Sequence, residues 1–185
     1  ETVVGWKFGG PMPGNEKYRA FGVGGMEGMV GGMLHLNDDM RKGGARPTWL
    51  VYFGVDDVDE TAKKIEEHGG KLLMKPFDIP NAGRAAMGTD PQGIPFYIMK
   101  GATDAESKVY DRNGVGKVSW NELYTPDQAS GNTFYKKVFG FTYPDKMAMG
   151  DMGDYIFVQA GEQTIGATMK QPPGASKCWL FYFRV

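Results

Sequence analysis

The sequence predicts an α+β protein built from repeats of a strand-helix-strand-strand-strand unit. Three observations carry this: a Trp-led, β-rich run that recurs, an Asp-started and Gly-ended helical run after two of its copies, and a composition of 28 glycines with 13% aromatic residues, which suits many short strands joined by tight turns. Thr48-Trp49-Leu50-Val51-Tyr52-Phe53-Gly54-Val55 recurs as Ser119-Trp120-Asn121-Glu122-Leu123-Tyr124-Thr125-Pro126, and again as Cys178-Trp179-Leu180-Phe181-Tyr182-Phe183-Arg184-Val185.

From the N-terminus, Val3-Val4-Gly5-Trp6-Lys7-Phe8 resembles Val138-Phe139-Gly140-Phe141-Thr142-Tyr143, so the chain is expected to open at the end of a helix. Tyr18 to Phe21 and Val30 to Met33 resemble Tyr155 to Val158 and Ile165 to Thr168, which gives three strands before residue 37. Four strands are expected in 48–100. After the first of them, Asp56-Asp57-Val58-Asp59 precedes a run with Val58, Ala62 and Ile65 at helical spacing, closed by Gly69-Gly70. Residues 101–116 read as a polar linker. Four further strands are expected in 117–173, with Pro126-Asp127 opening a helical run through Phe134, Tyr135 and Val138 to Gly140. The aspartates suit N-caps, because a carboxylate accepts from the free amides of the first turn, and the glycines suit left-handed C-caps. A lone strand follows at 177–185. The expected domains are 1–100, with a partial unit at 1–44 and a complete one at 45–100, and 117–185, with a complete unit at 117–173.

Composition excludes several roles. A formal charge of -1, from 21 basic and 22 acidic residues, supplies no positive field for nucleic acid. No apolar stretch approaches the ~20 residues that span a bilayer. Cys178 is the only cysteine, so no intramolecular disulfide forms; a cytoplasmic location is the expectation. The 12 methionines read as adaptable core filler. Gly9-Gly10, Gly24-Gly25 and Gly31-Gly32 lack the spacing and the Lys-Ser/Thr pair of a phosphate loop and read as turns and bulges.

The repeated unit, its Asp-capped helix, the Gly-Gly stop and the turn Gly88-Thr89-Asp90-Pro91-Gln92-Gly93 before an aromatic strand together resemble the vicinal oxygen chelate superfamily, which includes glyoxalase I, bleomycin-resistance proteins and extradiol dioxygenases. In the Asp-Pro-x-Gly turn, Pro fixes one φ and Gly takes the position needing a positive one. Trp120 to Leu123 looks like the opening of a unit in tandem, four-unit members. The resemblance implies open, cup-shaped mixed sheets in which paired units bind a small molecule. Against that pattern the first unit lacks its first strand and helix, and the last has only its first strand. The expectation is a fragment, or a homodimer or other assembly in which another strand completes the sheet, with residues 177–185 packing beside the N-terminal sheet.

In metal-dependent members, His or Glu ligands project from the first and fourth strands, and the ion stabilises an enediolate or activates dioxygen. Carried over residue by residue, the ligand positions hold Trp49, Trp120 and Tyr97, so the usual metal set is absent from the complete central unit. No metal is therefore assigned, while a divalent ion held by His35 and Glu122 with ligands from elsewhere stays open as the alternative. His68, before Gly69-Gly70, reads as a helix-terminal imidazole. Glu122 shares a strand face with Trp120 and Tyr124 by alternation. A carboxylate among aromatics loses hydration and is suited to act as a general base; equally, it can be a buried structural acceptor. Trp49, Phe53, Tyr97, Trp120 and Tyr124 are candidate ligand-binding residues, or the tryptophans simply fill the space between sheet and helix. The functions this leaves are a binder of a small apolar or aromatic molecule, a metal-dependent lyase, isomerase or dioxygenase, and a non-enzymatic protein that sequesters a planar toxin.

Overall fold

Twelve strands and three α-helices form among the described residues, two of the helices where the Asp caps and Gly stops place them. In the computed structural model, which describes residues 2–12, 15–24, 28–105 and 107–185, these are β1 (Lys7–Met12), β2 (Asn15–Gly22), β3 (Met29–Leu34), α1 (Asp38–Lys42), β4 (Tyr52–Gly54), α2 (Val58–Glu67), β5 (Lys71–Ile79), β6 (Gly83–Thr89), β7 (Pro95–Gly101), β8 (Val118–Thr125), α3 (Gln128–Phe139), β9 (Lys146–Ala148), β10 (Asp154–Ala160), β11 (Gln163–Lys170) and β12 (Cys178–Phe183). The expected grouping of three, four, four and one strands is therefore present. The chain divides into two compact units, one of Glu1–Trp49, Glu106–Trp120 and Phe181–Val185, the other of Leu50–Ala105 and Asn121–Leu180.

The larger unit contains most of both complete repeats. The Asp57 side chain accepts from the Glu60 amide at 2.9 Å and the Asp127 side chain from the Ser130 amide at 3.0 Å, so both aspartates are the N-caps their positions suggested. Gly140 closes α3 at φ +72°, while α2 ends at His68 with Gly69 at φ +87°. Val58, Ala62 and Ile65 on α2, and Phe134, Tyr135 and Val138 on α3, are buried as their spacing predicted. The strands pair in the order β4-β7-β6-β5 in one sheet and β12-β8-β11-β10-β9 in the other, β8 and β12 being divided between the two units.

Asp57 and Asp127 lie 70 residues apart, and the ladders keep that spacing: Phe53 pairs with Ile98 as Leu123 pairs with Thr168, and Met87 pairs with Tyr97 as Phe157 pairs with Ala167. The Trp49–Trp120 match, at 71 residues, is thus one residue out of structural register. A one-residue slip exchanges the two faces of a strand. Phe53 is consequently the counterpart of Leu123, Tyr52 the counterpart of Glu122, and Gly54 that of Tyr124.

On their helix-side faces the two repeats share one aromatic core. Phe53 lies 5.6 Å from Phe96, 4.6 Å from Phe139, 5.7 Å from Phe141 and 5.7 Å from Trp179, ring centre to ring centre. Phe96 and Tyr135 are fully buried, each a hydrophobic contribution of about 1.5–3 kcal/mol. A polar chain runs through this core: Trp179 Nε1 donates to Tyr135 Oη at 3.0 Å, and that hydroxyl donates to Asp90 Oδ2 at 3.4 Å. The other Asp90 oxygen accepts from the amides of Gln92 and Ile94, both at 2.9 Å, while Gly93 sits at φ +79°, which is the Asp-Pro-x-Gly turn in full. Gln92 then ties the turn to α3, donating to Asp127 O at 2.9 Å and accepting from Asp127 N at 2.6 Å.

The smaller unit contains the sheet β1-β2-β3 and a cluster around Phe21, Val30 and Val118. Gly5, at φ +74°, repeats the conformation of Gly140, in keeping with the opening resemblance. Trp6 packs edge-on against Phe183 at 4.6 Å and donates through Nε1 to Gly116 O at 2.7 Å. The expectation that residues 177–185 lie beside the N-terminal sheet is corrected in one respect: β12 hydrogen-bonds β8, not β1–β3, while its Phe181 and Phe183 side chains pack against the N-terminal cluster. Within 101–116, residues 107–116 belong to this unit, with Asp111 N bonded to Val118 O at 2.9 Å.

The glycine pairs act differently from one another. Gly9-Gly10 falls at the register shift of β1, a bulge as expected. Gly31-Gly32 lies inside β3, where a Cβ on Gly32 would come within 1.7 Å of Tyr18 Oη, so close ring packing and not a turn requires glycine there. Gly24 takes a positive φ; Gly25 lies outside the described residues. The methionines are not uniformly core filler either: Met29, Met33, Met40, Met74, Met147 and Met152 are exposed.

Candidate functional site

In the larger unit α2 and α3 pack on one face of the sheets, and the side chains of alternate positions point to the opposite face. On the β8 sheet that face carries Glu122 and Tyr124 from β8, Ala167 and Met169 from β11, and Tyr155 and Phe157 from β10, set side by side by the pairings Glu122–Ala167–Phe157 and Tyr124–Met169. Glu122 is 6% exposed, and the Tyr155 hydroxyl donates to its Oε1 at 2.5 Å. Tyr155 and Phe157 meet edge to face at 5.8 Å, which fixes the phenol beside the carboxylate. The result is a buried acid with a phenolic donor in a wall of aromatic and thioether groups. Such a pair can accept and return a proton at a substrate carbon or oxygen, the phenol stabilising the ionised carboxylate through a charge-assisted bond.

The matching face of the β4 sheet has no acid at the equivalent point. Tyr52 stands where Glu122 does and stacks on Tyr97 at 4.5 Å with 7° between the rings. Tyr97 Oη reaches Met74 Sδ at 3.8 Å, and burial raises the Tyr97 phenol above its ordinary pKa. Met87 completes the row Tyr52–Tyr97–Met87–Met74 across four strands. This face can stack a flat apolar group.

The candidate residues therefore separate. Tyr97 lies on a helix-free face, as do Glu122 and Tyr124. Phe53 does not: it packs into the helix-side core, because the structural register turns it away from Tyr97. Trp49 precedes β4, belongs to the smaller unit and is 54% exposed, its ring 5.5 Å from that of Phe183. Trp120 stands two residues before Glu122 on β8, within the smaller unit, with the Arg112 guanidinium 5.3 Å above its ring. Trp179 is core. The three tryptophans thus occupy three different environments. Tyr155 was missed, because its partner lies 33 residues away and only strand pairing brings them together; Tyr52 was missed through the one-residue offset.

A divalent ion needs several converging donors. His35 is exposed beyond the end of β3, its amide bonded to Lys17 O at 3.0 Å. Among the described residues no three His, Cys, Asp or Glu side chains converge, and the Tyr155 phenol donates to Glu122. The described residues do not by themselves make the donor set that such an ion requires. His68 is exposed at the C-cap of α2, its backbone amide bonded to Lys64 O at 3.1 Å. No helix among the described residues is long and apolar enough to cross a membrane.

Comparison with known proteins agrees with this architecture. A profile of the Glyoxalase/Bleomycin resistance protein/Dioxygenase superfamily matches residues 1–98, and the chain belongs to that superfamily. Over 189 aligned residues the chain is 31% identical to CFP32 of Mycobacterium tuberculosis, a protein with a provisional glyoxylase name, covering 100% of this chain and 69% of the relative. It is 33% identical over 127 residues to the anthracycline biosynthesis protein DnrV of Streptomyces peucetius, covering 65% of this chain and 44% of that protein. The crystal structure of the Mn(II)-bound glyoxalase from Novosphingobium aromaticivorans shares the fold, with a TM-score of 0.63 at 20% identity, over 93% of this chain; the chain spans 56% of that one.

Proposed function

We propose that this protein binds a small, partly apolar or aromatic molecule against the helix-free face of the β8 sheet, and that Glu122 exchanges a proton with it while Tyr155 holds the carboxylate in place. The observation that carries this is Glu122 itself, 6% exposed and bonded by a phenol in a wall formed by Tyr124, Phe157 and Met169. The likeness to a protein named for anthracycline biosynthesis supports a planar, polycyclic ligand, whose rings an aromatic wall stacks and whose phenolic or keto groups a carboxylate addresses. No resident metal enters this reading, because the donors on the face are a single carboxylate and phenols.

Equilibrium dialysis of a hydroxyanthraquinone against the whole chain tests it. Saturable binding is expected, weakened about three- to tenfold by Tyr124→Ala or Phe157→Ala and retained in Glu122→Gln, which loses proton exchange with the ligand instead. Binding untouched by both aromatic truncations would sink the proposal. So would a stoichiometric Mn, Fe, Ni or Zn content in protein purified without chelator.

A further inference from the structure

The bond between Tyr155 and Glu122 crosses a whole strand: Glu122 stands on β8, Tyr155 on β10, and β11 lies between them. Its geometry depends on where the first residues of β10 sit against β11. The β10–β11 ladder runs from Ala160–Gln163 to Ile156–Thr168, so Tyr155 and Asp154 lie beyond its last pair, in register with Met147 and Ala148 of the short, exposed β9.

Gln128, the first residue of α3, joins the two strands at that point. Its Nε2 donates to Asp154 O at 2.9 Å and to Thr168 O at 2.7 Å, with Thr168 Oγ1 at 3.2 Å. An amide nitrogen carries two hydrogens, which the two carbonyls take up, and three acceptors around one position require the nitrogen there and not the oxygen. The start of α3 is itself held, by the Asp127 cap and by the two bonds of Gln92 to the Asp127 backbone. One side chain therefore ties the residue before Tyr155 to the residue after Ala167, and Ala167 is the β11 partner of Glu122.

The other repeat supplies an internal control. At the offset that relates the N-caps Asp57 and Asp127, Gln128 corresponds to Val58, Thr168 to Ile98, Tyr155 to Ala85 and Glu122 to Tyr52. Val58, Ile98 and Ala85 are buried and apolar. A valine thus suffices to anchor a helix start of this kind. Hydrogen bonds add what apolar contact does not, a fixed distance and direction, and they occur in the repeat that has an acid and a phenol to align.

We propose that Gln128 is a positioning residue of the site: by joining Asp154 O to Thr168 O it sets the start of β10 so that the Tyr155 hydroxyl meets Glu122. It acts through Tyr155 and not by touching the ligand, and its effect on proton exchange rests on the role of Glu122 proposed above.

Proton NMR of the whole chain without ligand tests the geometry. The Tyr155 hydroxyl proton, assigned by its absence in Tyr155→Phe, is expected as a slowly exchanging downfield signal. Gln128→Met keeps the length of the side chain, and Gln128→Glu suits a first helical turn while its ionised carboxylate only accepts. Both should shift or abolish the signal, whereas Asp57→Ala, which removes the cap of the other helix, leaves it in place. Both Gln128 variants should bind hydroxyanthraquinone within about twofold of the parent and exchange protons with it about tenfold more slowly. In a Tyr155→Phe background, Gln128→Met should slow exchange no further, because the two act through one bond. A parent without the hydroxyl signal, an unchanged signal in both Gln128 variants, a loss that Asp57→Ala reproduces, or additive effects of Gln128→Met and Tyr155→Phe overturns the proposal. A parent that shows the signal but neither binds the quinone nor exchanges protons with it sinks the proposed function instead, and the signal in the Gln128 variants still decides whether Gln128 positions Tyr155.

Discussion

Replacing Tyr135 by Phe removes one oxygen from the centre of the larger unit, and the structure says what that oxygen is worth. Tyr135 is fully buried, and its hydroxyl accepts from Trp179 Nε1 at 3.0 Å and donates to Asp90 Oδ2 at 3.4 Å. Without it, an indole N–H on a residue 4% exposed has no acceptor, which costs about 1–3 kcal/mol. The Asp90 carboxylate loses only its longest bond and keeps two from backbone amides, so this adds a few tenths of a kcal/mol, within the scatter of ~0.5 for such estimates. The ring stays, so no cavity forms. The expected loss is therefore about 2 kcal/mol, a sizeable part of the ~5–15 kcal/mol that stabilises a domain. Urea denaturation followed by near-ultraviolet circular dichroism measures it. A double-mutant cycle isolates the bond: in a Trp179→Phe background the same change should cost about 1 kcal/mol less, because the indole donor is already gone. Equal costs in both backgrounds, or a loss under ~0.5 kcal/mol, would refute the reasoning.

Two further outcomes follow from the same unit. Asp57→Ala and Asp127→Ala each remove an N-cap bond and should each cost about 1 kcal/mol in denaturant titrations, with the double variant additive to within ~0.5; a combined cost no larger than either single one would show that the caps do not act independently. Burial, more than its amide and Tyr135 bonds offset, raises the Asp90 pKa above its ordinary value. A raised folded-state value means that Asp90 favours the fold most below its unfolded pKa of ~3.9 and that this contribution is lost as pH rises through the folded value, by at most ~1.4 kcal/mol per pH unit. The stability of the parent relative to Asp90→Asn should thus fall between about pH 4 and the folded pKa; a difference that stays flat or grows with pH contradicts the assigned cause.

Local chemistry was legible in the sequence. Asp57, Asp127, Gly140 and the Asp90-Pro91-Gln92-Gly93 turn act within four residues of themselves, through bonds from a side chain to nearby amides and through left-handed φ, so identity and spacing suffice to place them. The burial of Val58, Ala62 and Ile65 on α2 and of Phe134, Tyr135 and Val138 on α3 follows from helical periodicity for the same reason. The number and order of strands followed from the internal repeat, and the placement of Glu122 and Tyr124 on one strand face needed only alternation.

What required the tertiary structure is everything set by register and by contacts between distant strands. The Trp49–Trp120 match is strong in letters and one residue out in space, and with a side-chain period of two that single residue moved Phe53 from the expected ligand face into the aromatic core and brought Tyr52 to the position of Glu122. Tyr155 donates to Glu122 only because β11 lies between β8 and β10 and pairs with both, an adjacency no local pattern encodes. The expected partner of β12, the N-terminal sheet, was wrong for the same reason: an apolar strand carries the same amides and carbonyls toward any edge, and its pairing with β8 goes with packing Trp179 against Tyr135, a contact that exists only once the chain has folded.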